Sequence, residues 1–279
     1  MSDLIQLQKE SFKILERTDK FSKERDINYF LYSGTLIGAI RHQGFIPWDD
    51  DIDIAMLRAD FNKFDDLLAS GIFDGKPFYY QSNRLQPFYL SEVVKVRTDT
   101  VEVYEDVSTT QTGFSGPWVD IFPLDNVPDD INLRKKQFRK LKRINRIINF
   151  FLRTNEKQAT GLKKIFKKTV RKINERYYKN YFFIPYLFDK RYKLITKYNN
   201  QNTSAVGSLS YMSFKGYKAY ANCIILKENL SEFIKKPYKG KEFVVPKDYH
   251  KILTTQYGDY MKIPKLENRV IHRLVFKDE

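Results

Sequence analysis

The segment FIPWDDDIDIAML, Phe45 to Leu57, admits few conformations. Its second half alternates polar and apolar residues, the period of a strand with one buried face. Ile52 and Ile54 then point into a core while Asp51 and Asp53 share the opposite face. Two carboxylates side by side repel, and burial raises at least one pKa. A bound divalent cation removes that penalty. Hard oxygen ligands beside phosphate suit Mg²⁺, with Mn²⁺ as the alternative. A carboxylate from a second strand would complete such a site, and Asp120 in WVDIF stands between apolar neighbours.

The residues upstream add a second element. INYFLYS reads as a buried strand and TLIGAIRHQG as a short helix closed by Gly44, with Ser33, Gly34 and Thr35 between them. Backbone N–H groups at such a helix start are aimed to hold a phosphate. A phosphate cradle followed by paired carboxylates makes a nucleotide-plus-metal site. Arg41 and His42 lie on the short helix, and Arg41 reads either as a phosphate contact or as a solvated cation. Trp48 either stacks on a base or packs in the core. Lys95 and Arg97 alternate with Val94 and Val96, so they either contact phosphate or form a solvated strand face. Asp120 or Asp49 would serve as base for an acceptor hydroxyl. His42 and His272 read as structural or supporting groups rather than proton carriers, and His250 has no context. The single cysteine, Cys223, excludes an internal disulfide framework and fits a reducing compartment as a small buried residue.

Charge is distributed unevenly. Residues 131–200 hold 22 Lys or Arg against three acidic residues, while the rest of the chain holds 27 against 31. Within the basic segment Phe138, Leu141, Ile144, Ile148, Phe151 and Leu152 recur at helical spacing, as do Leu162, Ile165, Phe166, Val170, Ile173 and Tyr177. Residues 154–161 read as the turn between them. Basic amphipathic helices either pack on a body with a solvated face or lie on an anionic membrane. No nucleic-acid module motif is present, so nucleic acid is not an expected partner. There is no signal-peptide pattern and no apolar run of the ~20 residues a membrane-spanning helix needs. The expectation is a cytoplasmic protein, either free or in peripheral contact with the inner membrane face.

The remaining pattern suggests an α+β fold: a mixed sheet formed mainly from residues 27–125, flanked by helices, with a basic helical insertion or subdomain. YMSFKGYKAY and FVVPKDY read as strands, and YHKILTTQYGDYM as a final helix ending at Pro264. The expected division is a catalytic core in 1–130, the basic helices in 131–200 and a C-terminal part completing the core in 201–279.

YFLYSGTLIGAIRHQGFIPWDDDIDIAML closely resembles the signature of the LicD family, relatives of the fukutin proteins within the nucleotidyltransferase-fold superfamily. The similarity continues through KVRTDT, GPWVDIFPLD and VPKDYHKILTTQYGDYMKIP, with His272 beyond, and is least in 131–200. The resemblance implies a nucleotidyltransferase-like fold and a phosphotransferase that takes phosphocholine, or another phosphorylated alcohol such as glycerol or ribitol phosphate, from a CDP-activated donor. The acceptor it implies is a sugar hydroxyl on teichoic acid, capsule or lipopolysaccharide. The family's pattern falls on Ser33, Gly34 and Thr35 and on Asp51 and Asp53. Two alternatives stand beside it: a nucleotidyltransferase passing NMP from an NTP to an acceptor, and a non-enzymatic basic protein binding membranes or polyanions.

Overall fold

The computed structural model describes residues 2–73, 75, 77–86, 89, 91–105, 116–152, 183–209, 216–269 and 274–276. The chain begins with α1 (Ser2–Glu24), β1 (Phe30–Leu31), α2 (Ser33–His42), β2 (Ile52–Leu57) and α3 (Arg58–Ala69). Next come β3 (Phe78–Gln81), β4 (Val94–Thr98), β5 (Val103–Glu105) and β6 (Trp118–Val127). Two helices of the basic segment follow, α4 (Ile131–Leu152) and α5 (Phe183–Ile195). The C-terminal part contains β7 (Ala205–Gly207), α6 (Tyr217–Asn222), β8 (Ile224–Leu226), β9 (Phe233–Tyr238), β10 (Lys241–Pro246), α7 (Tyr249–Tyr257) and β11 (Leu274–Phe276).

A mixed seven-stranded sheet organises these elements, in the order β1-β2-β6-β4-β3, with β7 joined to β6 and β8 to β7. Its centre is the parallel pair β2 and β6, and the other pairings are antiparallel. One edge of β6 is shared in series by β4 and then β7, so the sheet curls along that strand. β9–β10 and β5–β11 form separate two-stranded sheets. The architecture is α+β, as the pattern of alternating elements suggests.

The sheet extends beyond residue 125, because β6 runs on to Val127 and recruits β7 and β8. Tyr217–Asn222 is helical rather than extended: its aromatic residues have strand propensity, but Tyr217 and Tyr220 pack at a helical spacing of three against Phe138. α7 stops at Tyr257, where Gly258 takes φ 73°. In α2 it is Gln43, not Gly44, that adopts the left-handed closing conformation, at φ 53°, donating to the Gly38 carbonyl. Gly38 itself must be bare, since a Cβ there would lie 2.4 Å from the Gly44 carbonyl oxygen.

Period two divides the sheet's faces. Ile52, Ile54 and Met56 of β2, Val119 and Ile121 of β6, and Val94 and Val96 of β4 share one large core. Leu15 and Phe21 of α1, Leu36 and Ile37 of α2, and Phe61, Phe64 and Leu68 of α3 close it. Each such side chain contributes about 1.5–3 kcal/mol on burial. The opposite face is apolar only in part: Phe30, Ala55, Phe122 and Leu124 pack against Val206, Ile225, Leu230 and Ile252. Its other part, at the amino-terminal ends of β2 and β6, carries Asp53 and Asp120.

α4 docks through Phe138, Leu141 and Ile148, while Gln137 and Asn145 are also buried. The run Leu162–Tyr177 and the turn at 154–161 lie outside the described residues. One buried ion pair joins α3 to β6 within the body, and a second ties α5 to it. Arg58 grips Asp125 with two bonds of 2.7 and 2.6 Å, and Asn199 donates to the same carboxylate at 2.7 Å. Arg191 donates to Glu92 at 2.5 Å and to Asn145 at 3.2 Å, with its guanidinium over Phe188. Removing one member of such a buried pair strands its partner's charge, at about 3–5 kcal/mol. Asp130 caps α4, accepting from the N–H groups of Asn132 and Leu133. Among the described residues, no helix is long and apolar enough to cross a membrane.

Candidate active site

Parallel pairing of β2 with β6 sets Asp53 directly opposite Asp120. Asp51, in the extended approach to β2, brings a third carboxylate, so that one oxygen from each of Asp51, Asp53 and Asp120 lies within 4.8 Å of the others. A second such group, Asp49, Asp50 and Asp51, shares Asp51. These are not solvated surface acids: Asp53 and Asp120 are 9% and 8% exposed, and Asp50 is 2% exposed.

Electrostatics at Asp53 follow from that crowding. Burial raises its pKa well above the ordinary carboxylate value, and the charges of Asp51, Asp120 and Asp49 raise it further. A hydrogen bond from the Ser33 hydroxyl opposes the shift. Asp120 is held from both sides. The Trp118 indole N–H donates to Oδ2 at 3.0 Å, and the Lys95 ammonium lies 2.8 Å from Oδ1 and 3.1 Å from Oδ2. Oδ1 is buried, yet it receives no aligned hydrogen bond among the described residues. A buried carboxylate oxygen with an ion-pair contact but no aligned hydrogen bond, beside two more carboxylates, is a donor set that fits a hard divalent cation.

Helix α2 begins beside this cluster. Tyr32 donates its backbone N–H to the Asp53 carbonyl at 3.0 Å, which fixes the helix start against β2. Ser33 opens the helix at φ 49°, a left-handed conformation that costs a non-glycine residue about 1–3 kcal/mol. Its Oγ lies 2.6 Å from the Tyr257 hydroxyl at the end of α7. Either hydroxyl serves as donor in this contact, which links the end of α7 to the residue that faces Asp53. Thr35 is buried and accepts from the Asp53 N–H at 2.7 Å. At Gly34 a Cβ would lie 2.9 Å from Asp49 Oδ2, so glycine permits that carboxylate to approach the helix start. Ser33, Gly34, Thr35, Asp49, Asp51, Asp53, Asp120 and Lys95 are thus brought together.

Other residues singled out in the sequence lie elsewhere or are differently engaged. Arg97 is 3% exposed, donating to Gln81 at 2.6 Å and to the Gly116 carbonyl at 2.9 Å behind the Trp118 ring. Arg41, at the far end of α2, donates to the carbonyls of Tyr260 and Lys262 and to His42, tying down the segment after α7. Trp48 is half-buried against the main core and carries the Arg269 guanidinium 4.0 Å above its ring. His42 has its pKa lowered by burial and by Arg41. His272 lies outside the described residues. Cys223 is buried.

Three aromatic residues join the site beyond those singled out in the sequence. Trp118 and Tyr257 contact Asp120 and Ser33. Tyr238 of β9 is wholly buried, and burial together with Asp49, Asp51 and Asp53 pushes its phenol pKa up. Alternation identifies Trp118 as a neighbour of Asp120, but the two tyrosines arrive from the distant C-terminal part.

A carboxyl whose folded pKa is raised contributes stability below its unfolded pKa and loses it as pH rises through the folded value. Without a cation, the Asp53 contribution therefore declines above about pH 4. Asp53→Asn, which carries no charge at any pH, is expected to flatten that decline. It should raise the cation-free melting temperature at pH 7 by about 2–4 °C. It should also remove the stabilisation given by Mn²⁺. Thermal melts from pH 4 to 8, with and without Mn²⁺, measure both effects, and a lower cation-free melting temperature for the variant would contradict this electrostatic account.

The description LicD/FKTN/FKRP, nucleotidyltransferase domain, matches residues 26–145, the stretch that contains α2, the acidic cluster and Asp120. The chain is 29% identical over 269 residues to the lipopolysaccharide cholinephosphotransferase LicD of Haemophilus influenzae, covering 94% of this chain and 92% of that protein. Shorter similarities reach an uncharacterized protein of Rickettsia typhi, 40% identical over 57 residues, and one of Rickettsia prowazekii, 43% over 49 residues. Each covers only 18% of the relative, and 20% and 18% of this chain. The signature around Asp51 and Asp53, the strand that places Asp120 beside them and these similarities agree in likening residues 26–145 to the nucleotidyltransferase domain of the LicD family.

Proposed function

We propose that this protein is a metal-dependent phosphotransferase that moves a phospho-alcohol from a CDP-activated donor to a hydroxyl of a cell-surface glycan, releasing CMP. The observation that carries this reading is the convergence of Asp51, Asp53 and Asp120 in front of the first turn of α2. Phosphocholine is the first candidate for the group transferred, since the Haemophilus relative is named a cholinephosphotransferase acting on lipopolysaccharide.

Asp51, Asp53 and Asp120 would hold the cation, Mg²⁺ or Mn²⁺, which when bound supplies neutralisation of charge developing on the phosphates. The N–H groups of Gly34 and Thr35 open a helix whose positive end favours the donor's pyrophosphate. The acceptor oxygen attacks the phosphorus distal to cytidine in line. A new P–O bond forms as the bridging P–O bond breaks, and CMP leaves with the bridging oxygen. The hydroxyl proton passes to a carboxylate, for which half-exposed Asp49 is the candidate. Positioning and charge stabilisation carry such a transfer, and no protein nucleophile is required. The Tyr257–Ser33 bond supports a C-terminal part that completes the catalytic core.

Calorimetric titration with CDP-choline, CDP-glycerol, CDP-ribitol and CTP, with and without Mg²⁺, tests the reading. Mg²⁺-dependent binding of one CDP-alcohol, weakened at least about 100-fold in Asp51→Asn/Asp53→Asn, is expected from the loss of two charged contacts. Preference for CTP would favour nucleotidyl transfer, and no nucleotide binding in a folded protein would overturn the assignment.

The acceptor side of the reading rests on α4. Lys135, Lys136, Arg139, Lys140, Arg143 and Arg146 are exposed opposite its docked face, and the helix contains no acidic residue. Such a face would gather an anionic, lipid-linked acceptor at a membrane surface. Replacing Lys135, Lys136, Arg139 and Arg143 with Gln is expected to weaken co-sedimentation with anionic vesicles at least about tenfold. Unchanged co-sedimentation would remove this role.

A further inference from the structure

The Lys95–Asp120 contact is written into the sheet. Antiparallel pairing of β4 with β6 sets Lys95 opposite Asp120, while parallel pairing on the other edge of β6 sets Asp53 opposite the same residue. Asp120 therefore stands between an ammonium on one side and the carboxylate cluster on the other. Both Lys95 and Asp120 are 8% exposed, so water screens their interaction little. The ammonium straddles the two Asp120 oxygens and lies 4.5 Å from the centroid of the Trp118 ring, whose own N–H holds Oδ2. Arg97, the next side chain along this face, donates to Gln81 and to the Gly116 carbonyl.

We propose that Lys95 is a positioning residue that competes with the divalent cation for Asp120, and so makes cation binding depend on the arrival of the donor. This rests on the proposed cation site. In the cation-free protein the ammonium offsets part of the repulsion among Asp51, Asp53 and Asp120, keeping the third carboxylate in place. The same positive charge weakens cation binding, because two cations then share one carboxylate. A donor pyrophosphate offers Lys95 an anionic partner of its own and relieves the competition. Cation and donor then promote each other's binding by the same factor, as linkage requires.

Mn²⁺ alone, titrated into the full chain and followed by the resonance signal of the free ion, is the probe, and CDP-choline is added in a second series. Lys95→Met, and the uncharged but hydrogen-bonding Lys95→Gln, are each expected to bind Mn²⁺ about tenfold more tightly than the parent in the absence of nucleotide. The enhancement of Mn²⁺ affinity by CDP-choline should shrink at least about fivefold in both. Lys95→Arg, which keeps the charge, should stay within about threefold of the parent. Thermal melts identify which variants are folded, and either uncharged variant suffices. Mn²⁺ affinity unchanged or weakened in a folded uncharged variant would overturn the competition while leaving the cation site standing. Equal Mn²⁺ binding by the parent and by Asp51→Asn/Asp53→Asn would overturn the cation site and this proposal together.

Discussion

The structure depends on a conflict held in one pair of strands. Parallel pairing of β2 and β6 brings Asp53 and Asp120 face to face, largely removed from water, with Asp51 beside them. Alone, three such carboxylates would push the strands apart or take up protons. The surrounding residues read as answers to that conflict. Lys95 and Trp118 hold Asp120, Ser33 faces the Asp53 carboxylate and is itself bonded to Tyr257, and Thr35 and Tyr32 pin the Asp53 backbone. The apolar sides of the same strands lock into the main core, which leaves the acidic faces little freedom to move.

The C-terminal part enters the site through single side chains. Tyr257 reaches Ser33 from the end of α7, and Tyr238 of β9 is buried where the charges of Asp49, Asp51 and Asp53 act on it. β7 and β8 extend the sheet from the far half of β6. The basic helices are joined through Arg191 of α5, which reaches Glu92 of the body and Asn145 of α4, while the outer cations of α4 stay exposed. Acidic interior and basic exterior are thus separated within one body. That arrangement keeps the α4 lysines and arginines from neutralising the cluster that the proposed chemistry requires.

Much of the acidic site was legible in the sequence because strand alternation is local. Asp51 and Asp53 share a face by spacing alone, and Asp120 stands out as a carboxylate between Val119 and Ile121. What alternation does not contain is cross-strand register. Lys95 and Arg97 look alike beside Val94 and Val96, yet register gives one to Asp120 and the other to Gln81 and Gly116. The left-handed turn at Ser33 and the reach of Tyr257 depend on residues more than 200 positions apart. Tyr217–Asn222 misleads for a related reason: its aromatic residues favour strands by propensity, and only packing against Phe138 makes them helical.

The central claim is that the cluster on β2 and β6 holds the cation that a CDP-alcohol needs. Crystals grown with Mn²⁺ and CDP-choline, with diffraction data collected at the manganese absorption edge, locate that ion directly. The account predicts an anomalous peak between Asp51, Asp53 and Asp120, with the donor's phosphates against the first turn of α2. A bound nucleotide with its manganese elsewhere, or with no manganese at all, would contradict it.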